Sequence, residues 1–454
     1  MDDEKLSIKQ KLILLIRDIK RIYRICLSII GDIIYKFPLN DVEVIGVTGT
    51  SGKSTTTTMI YEILNHLGFK VAMISTVEAK INNFSLDTGF HVTTPNPIHL
   101  KKITRIFKDK GMKILVLESS SHSLDQGRLG LTKIKYAVYT NIQRDHLDYH
   151  FTWKKYAEAK SRLIKKSTKD SYVILNKDDM SYKFLNKVCN EKKMNNVIAY
   201  SLSEIQDLKC TLDGLEFSYK NIKFKIPILG NYNIYNVLAA IKTGESMGIS
   251  INKIRNALAQ FKGLTGRMQV IKTHPFSIIV DFAHNTDSLE KALKFVKSFY
   301  NNKIISIFGS AGLRDIEKRF TMGKASGELA DITIITAEDP RTESLKDINT
   351  RIIEGCKAGG AKLIYRFKDH QDFMENHEQF LNYDSYQLPI VFSFDEESTS
   401  SRYDAILFGI KIAKKGDLVI TFGKGHEKSL CFGTIEYPFT DQEAVEKALK
   451  FLGI

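Results

Sequence analysis

Apolar and polar positions alternate along this chain in two different periods, and the switching between them sets the expected fold. Short β-branched runs such as Val42–Val47 (VEVIGV) read as buried strands, and segments such as TTTTMIYEILNHLG place Met59, Ile60, Ile63, Leu64 and Leu67 at helical spacing before Gly68 stops them. From Val42 to about Leu264 the two kinds of segment alternate. FKVAMIST, MKILVLES and KYAVYTNI are strands, while PNPIHLKKITRIFKDKG, opened by proline, and TWKKYAEAKSRLIKK are helices. Such alternation predicts a parallel-rich α/β sheet with helices on both faces and ligands beyond the carboxyl ends of the strands. After Gly263 the pattern restarts. FSIIVDFAH, KIISIFGSAG, ADITIITAEDP and GDLVITFGKGHE each end in a polar, glycine-containing or acidic turn, with helical stretches such as TDSLEKALKFVKSFY between them. This predicts a second, Rossmann-like α/β domain, and no fixed repeat period suggests a solenoid. The expected organisation is an N-terminal helical segment over residues 1–40, a nucleotide-binding central domain over 41–265 and a C-terminal domain over 266–454.

The first forty residues follow another pattern. LSIKQKLILLIRDIKRIYRICLSIIGDIIYKFP is rich in Leu and Ile but carries a basic residue every few positions. No apolar window reaches the length of a membrane span, and no small-residue cleavage site follows the apolar core. The spacing predicts one or two amphipathic helices ending near Pro38. They either dock on the body of the protein or lie on a membrane surface.

Composition narrows the class. The 454 residues are 43% hydrophobic and 26% charged, the balance of a soluble globular protein. The net charge of +14 admits nucleic acid, a membrane surface or an anionic small substrate as partner. No Lys/Arg run with interleaved aromatics or nucleic-acid fingerprint is present, which argues against nucleic acid. The five cysteines are odd in number, widely spaced and free of C-x-x-C pairs, as in a reducing cytosol, and offer no cysteine metal site.

Candidate chemistry gathers at the strand ends. In VTGTSGKSTTTT, Gly49 and Gly52 let the backbone approach an anion, and the following helix offers its free amides. Lys53 can reach outer phosphates, and Ser54 or Thr55 can bind Mg²⁺. This reads as a nucleoside triphosphate site made by Gly49, Thr50, Ser51, Gly52, Lys53, Ser54 and Thr55. The strict phosphate-loop pattern is not met, because Val47 stands where its first glycine belongs, so a plain flexible turn is the competing reading. Glu118 ends ILVLE and His146 follows VYTNI.

At this point the residues carry a family likeness. TGTSGKSTT, TTPNP, ESSSHSLDQGR, TNIQRDHLDYH, YAEAKSRL, NYNIYNVLAA, GRMQ, DFAHNTDSLEKAL, GLRDIEKR, EDPRTE and GKGHE run in order from Thr48 to Glu427. The chain resembles the Mur ligase family, most closely the MurE type, which adds the third amino acid to UDP-N-acetylmuramoyl-dipeptide. The resemblance implies an ATP-dependent acid–amino acid ligase of peptidoglycan synthesis, and hence a place in cell-wall growth, cell shape and cell division. In that reaction the γ-phosphate of ATP activates a carboxylate as an acyl phosphate, which the amino acid's amine attacks.

By motif match, Lys53 holds the β/γ-phosphates. Ser54 and Glu118 bind a first Mg²⁺, and His146 a second. Lys160 matches a lysine that the family carries as a carbamate, an anionic oxygen ligand, although the residues alone suggest only an exposed helical lysine. Asn236 is expected at the adenine, Arg267 at the phosphates and Asp281 at the ribose. Thr93, Thr94, Ser120, Gln126 and Arg128 match muramoyl-dipeptide contacts; for Ser120 and the threonines ordinary strand-end or helix-capping use is the alternative. His122 and His284 are open between structural and functional use. The incoming amino acid is expected to meet Arg314, Asp339, Arg341, Gly423 and Glu427. Members that add meso-diaminopimelate commonly read D-N-P-R, and lysine adders lack that arginine. Here Asp339 replaces the asparagine and could pair internally with Arg341, so meso-diaminopimelate and lysine both stay open.

The resemblance also implies a UDP-binding domain ahead of the phosphate loop, where this sequence has about forty residues. Either the N-terminal helices substitute for it, or the acceptor lacks UDP and is lipid-linked. Folylpolyglutamate and cyanophycin synthetases are related amide-forming alternatives, and a non-catalytic ATP-binding module is a third. SSSHSLDQGR and GKGHE favour the MurE type. The expectation is a cytoplasmic monomer acting on small molecules, with membrane-surface contact through residues 1–40 as an option.

Overall fold

The computed structural model describes residues 7–82, 84–86, 94–211, 213–261 and 263–454, in two compact units that divide between residues 262 and 263. The first unit opens on one helix, α1 (Ile8–Ile34), where the sequence allowed one or two. Then come β1 (Glu43–Thr48), α2 (Lys53–His66), β2 (Val71–Ile74) and a small hairpin of β3 (Ala79–Ile81) and β4 (Phe84–Leu86). They are followed by α3 (Pro97–Asp109), β5 (Ile114–Glu118), the short α4 (Ser121–Asp125), β6 (Ile134–Tyr139), the short α5 (Leu147–His150) and α6 (Trp153–Lys165). β7 (Ser167–Asn176), α7 (Tyr182–Glu191) and β8 (Asn196–Tyr200) complete the main sheet, whose strand order is β4-β3-β2-β5-β1-β6-β7-β8. The six strands from β2 to β8 run parallel, and only the β3–β4 edge is antiparallel.

The register matters for the site. Val47 of β1 lies beside Glu118 of β5 and Val138 of β6, so the turns that leave these strands emerge side by side. α2 is fastened there by Met59, Ile60, Ile63 and Leu64, all at most 2% exposed. Burial of each contributes about 2 kcal/mol. α3 starts where the sequence expects it, with Asn96 accepting from the amide of His99 and Pro97 at the first helical position.

One stretch departs from the expected alternation. β9 (Ile205–Thr211), β10 (Gly214–Tyr219) and β11 (Ile222–Ile226) form a separate antiparallel sheet before α8 (Asn233–Ser246) and α9 (Ile251–Ala259). The reason is local: Asp213-Gly214 and Lys220-Asn221 supply tight turns, with Gly214, Lys220 and Asn221 all at positive φ.

The second unit contains β12 (Gln269–Lys272), β13 (Ser277–Val280), α10 (Thr286–Lys297), β14 (Ile304–Phe308), α11 (Glu317–Leu329), β15 (Ile332–Ile335) and α12 (Leu345–Ala358). It continues with β16 (Lys362–Phe367), α13 (His370–Asn376), β17 (Ile390–Phe394), α14 (Thr399–Ile412), β18 (Leu418–Thr421), the hairpin β19 (Ser429–Phe432) and β20 (Ile435–Pro438), and α15 (Asp441–Leu452). Its sheet order is β12-β13-β18-β14-β15-β17-β16, parallel except for β12. A fully buried pair ties its strand ends together. Arg402 binds both carboxylate oxygens of Asp441 at 2.7 Å and donates to the carbonyls of Ala337 and Phe422. Removing one partner of such a pair costs about 3–5 kcal/mol. All five cysteines are free.

Candidate functional site

The phosphate loop lies between β1 and α2. Gly52 has φ 80°, the left-handed conformation that glycine adopts without strain, and caps α2. A Cβ on Gly49 would lie 1.8 Å from Thr140 Oγ1, and one on Gly52 would lie 2.1 Å from Asn236 Oδ1, so both glycines are required by close neighbours. The residues after β6 brace the loop. Thr50 and Ser51 donate their amides to the carbonyl and side chain of Asn141 at 2.8 and 3.0 Å, and Thr140 Oγ1 donates to the Ser51 carbonyl at 2.6 Å. Lys53 Nζ turns back onto the Thr50 carbonyl at 2.8 Å, and Thr55 sits in the first turn of α2.

The hydroxyl of Ser54 donates to Glu118 Oε1 at 3.1 Å. Glu118 is 1% exposed and also accepts from the amide and hydroxyl of Thr76 at 2.9 and 3.1 Å. A hydroxyl and a carboxylate held together at the mouth of a phosphate loop form the hard-oxygen donor set that suits Mg²⁺.

Lys160 is the largest departure from the sequence expectation of an exposed helical lysine. It is 1% exposed, donates to the Gly49 carbonyl at 2.5 Å and lies over the Tyr156 ring. Burial, and then the charge of Lys53, push its amine well below the usual lysine range against the opposing pull of Asp145 and Glu118. Beside it is an aromatic cluster that sequence reasoning largely missed. The rings of His122 and His146 are 4.9 Å apart, His122 and Tyr149 4.2 Å, and His150 and Tyr156 5.2 Å. His146 is half exposed at φ 51°, against Asp145. His122 thus joins the cluster around His146. His150 is buried with no partner for Nε2 among the described residues, and its ring is pushed down to about 3 by burial and then by His122, Lys160, His146 and Arg17. The motif HLDYH named His150 without saying that it would be buried.

Asn236, expected at the adenine, lies directly against the phosphate loop. It is 4% exposed beneath the loop, accepting from Thr56 Oγ1 at 3.3 Å and donating to Asn233 at 2.7 Å. Its amide thus links α2 to α8 beside Gly52.

The acceptor motif is also knit together. Arg128 donates to the Thr94 carbonyl at 2.6 Å and to Gln126 Oε1 at 3.1 Å, and Thr94 Oγ1 donates to the Glu118 carbonyl at 3.0 Å. Ser120 caps α4 by accepting from the amide of Ser123, the ordinary use left open above. Thr93 lies outside the described residues. α1 backs this motif: Cβ atoms on Gly127 and Gly130 would meet Arg21 and Ser28, and the Arg17 guanidinium covers the Tyr149 ring at 3.7 Å while donating to the Tyr149 carbonyl. Burial, and then the charge of Arg24, hold Arg128 below the usual guanidinium range.

In the second unit, Asp281 accepts from the amides of Met268 and Ala283 at 2.7 and 2.9 Å and so fixes the turn that carries Arg267, whose guanidinium lies over Phe282. The carboxyl of Asp281 is pushed up by burial. His284 binds the Phe282 carbonyl with Nδ1 and packs on the Phe282 ring. The Gly266 and Gly425 backbones approach so closely that a Cβ on Gly266 would lie 2.0 Å from Gly425.

Asp339 and Arg341 both have positive φ, 58° and 57°, a strained geometry at a cost of about 1–3 kcal/mol each. The internal pair that the sequence left open between them does not form. Asp339 Oδ1 accepts from Lys424 Nζ and from the Cys431 amide, both at 2.9 Å, and Lys424 binds Glu427 at 2.7 Å. The Arg341 backbone is tied to the β19–β20 hairpin through Cys431 and Gly433, but its guanidinium has no hydrogen bond or ion pair among the described residues. Arg314 stands exposed on the loop after β14, which packs on the EDPR turn; a Cβ on Gly312 would lie 1.9 Å from the Pro340 carbonyl. Arg319 clamps the two loops with a bidentate pair to Glu343 at 2.6 and 2.7 Å, another residue that the sequence did not single out. Gly423, at φ 101°, packs against Glu338, whose buried Oε2 has no hydrogen-bond partner among the described residues and whose carboxyl is pushed up to about 8 by burial.

Comparison with known proteins closes the argument. Residues 47–244 match the Mur ligase middle domain, and residues 266–386 the Mur ligase, glutamate ligase domain. The chain is 32% identical to a UDP-N-acetylmuramoyl-L-alanyl-D-glutamate--2,6-diaminopimelate ligase of Clostridium acetobutylicum over 94% of this chain and 82% of that one. It is 32% identical to the enzyme of the same name from Alkaliphilus oremlandii over the same shares. A solved structure of a ligase of that name, 27% identical, superposes with a TM-score of 0.65 over 93% of this chain and 82% of the other. Glycines forced by neighbours, a Ser54–Glu118 oxygen pair and a buried lysine beside them are thus set in a matching sequence frame, and the chain belongs to the Mur ligase family of ATP-dependent acid–amino acid ligases of peptidoglycan synthesis.

Proposed function

We propose that this ligase joins a muramoyl-dipeptide-type carboxylate to a diamino acid with a distal carboxylate, meso-diaminopimelate, through an acyl phosphate. The observation that carries the choice of amino acid is the pairing of Asp339 with Lys424. It consumes the extra acid of the EDPR turn and leaves the Arg341 guanidinium for a ligand carboxylate, which Arg grips in two-pronged fashion. The names of the relatives support the same choice.

In this reading Lys53 and the loop amides of Gly49 to Thr55 hold the triphosphate, Ser54 and Glu118 hold one Mg²⁺, and His146 meets a second. Mg²⁺ neutralises charge on the transferring phosphoryl group. The depressed basicity and burial of Lys160 support carbamylation, since only a neutral amine attacks carbon dioxide. Asn236 stands beside the loop, and Arg267 and Asp281 keep the nucleotide roles that their motif match gives them. Arg128, Gln126 and Thr94 hold the acceptor, with Arg17 and Arg24 of α1 standing behind them. Arg314, Gly423 and Glu427 complete the amino acid's surroundings, and Glu427 receives an ammonium group. The enzyme works as a cytoplasmic monomer, where its ATP is.

The test crosses muramoyl-dipeptide acceptors, with and without UDP, against meso-diaminopimelate and L-lysine, and reads product mass and ADP release. A product with diaminopimelate is expected. Exclusive use of lysine would overturn the choice, and ATP turnover without any amide product would overturn the ligase assignment.

A further inference from the structure

α1 is apolar on two sides. Its inner side packs on the protein: Arg21 and Ile25 close on Gly127, Ser28 on Gly130, and Asp32 pairs with Lys101 at 2.8 Å in a buried contact. Its outer side carries Ile16, Ile19, Ile22, Tyr23, Ile30 and Ile33, which are 44% to 63% exposed. At 100° per residue these six fall within an arc of about 120°. From Ile16 to Ile33 the stripe runs about 26 Å along the helix, an apolar band on one face rather than scattered surface residues. Tertiary packing explains the inner side; the outer one stays exposed among the described residues.

We propose that this outer face seats α1 in the surface plane of an anionic lipid bilayer. Three observations choose that occupant. Residues 7–36 hold seven basic and two acidic side chains. Both acids are already engaged, Asp18 with Arg21 at 2.9 Å and Asp32 with Lys101. Exposed Lys20 borders the apolar arc, and Lys36 is exposed just past the helix end, where their stems can lie along acyl chains and their ammonium groups meet lipid phosphates. A second copy of this helix would instead bring cationic rims together, with both acids of its described residues already paired. The contact is interfacial, because no helix among the described residues is long and apolar enough to cross a membrane. The same helix backs the turn that carries Gln126 and Arg128, so lipid binding holds that edge of the first unit at the bilayer.

The test is independent of ligation. Full-length protein is sedimented with phosphatidylglycerol vesicles and with neutral phosphatidylcholine vesicles, beside the variant Ile19→Glu/Ile30→Glu/Ile33→Glu, with melting temperature as the folding control and light scattering for mass. The wild type is expected to bind the anionic vesicles, to lose binding at high salt, and to bind neutral vesicles more weakly. The triple variant should melt normally and bind the anionic vesicles at least about tenfold less. No partition of the wild type at low salt, undiminished binding of the variant, or a wild-type dimer that the three substitutions abolish would each overturn the proposal. If the triple variant fails to fold, Lys20→Glu, at an exposed position, must still weaken anionic binding for the proposal to stand.

Discussion

The two units carry charge in opposite ways. Around the phosphate loop, basic groups are buried without a direct ion pair among the described residues: Lys160 donates to a carbonyl, and His150 Nε2 has no hydrogen-bond partner there. Burial therefore lowers the proton affinity of both. In the second unit the buried cations beside the strand ends are answered within the protein, Lys424 with Asp339 and Glu427, Arg319 with Glu343, and Arg402 with Asp441. Arg341 stands outside that set. The first arrangement suits a site whose anions arrive with the ligands, since burial penalises an isolated cation until an anion joins it. The second suits selection, because prior pairing leaves few groups able to respond to a substrate.

The largest effect should come from the first unit. Lys53→Ala should lower ATP-dependent turnover by roughly a thousandfold by removing a positive group from the phosphates; steady-state phosphate release measures it, and near-normal turnover would refute the nucleotide role. Lys160→Ala should fall by about a hundredfold or more, with partial rescue by formate or acetate supplying the missing oxygen ligand. A fully active variant would mean that the buried lysine only packs.

The contrast predicts a more selective loss in the second unit. Arg341→Ala should cost about 2–4 kcal/mol in kcat/KM for meso-diaminopimelate, the range for a buried charge pair, and much less for lysine. Equal losses for both would assign Arg341 to holding the loop. Lys424→Met should move the wild type toward that variant, because an unanswered Asp339 would compete for Arg341.

A smaller effect separates the units by pH. Glu338 is raised from 4.5 to about 8, so the folded protein binds more protons than the unfolded chain between those values. Its contribution to stability is thus fully present below about 4.5 and is lost as pH rises to about 8. His150 is lowered from 6.5 to about 3, so its contribution is present above 6.5 and is lost as pH falls toward 3. Urea titrations should show Glu338→Gln flattening the neutral-side slope and His150→Gln flattening the acid-side slope; unchanged slopes would show that neither group is burdened by burial.

Much of the fold could be read from periodicity alone. Val42–Val47 as a strand was displaced by only one residue, and the proline-opened helix begins at Pro97 as expected. The antiparallel β9–β11 sheet escaped because β9 and β11 carry exposed polar residues between their apolar ones, so its signal lay in the turns Asp213-Gly214 and Lys220-Asn221 rather than in apolar runs. Thr76, Asn141, Tyr156 and Arg319 could not be found by spacing, because they reach the candidate sites from loops and helices distant in sequence.

By itself the sequence determined which residue types stand at the strand ends: two glycines and a lysine after β1, a carboxylate ending β5, an arginine and an acid in the EDPR turn. Local pattern is sufficient for that, since side-chain period and turn chemistry act over a few residues. Only the tertiary structure decided their states. Whether Lys160 is a solvated cation or a buried neutral amine depends on what packs over α6, and whether Asp339 meets Arg341 or Lys424 depends on the hairpin that folds back onto it. Desolvation and ion pairing are set by neighbours in space, so they have no counterpart in the order of residues along the chain.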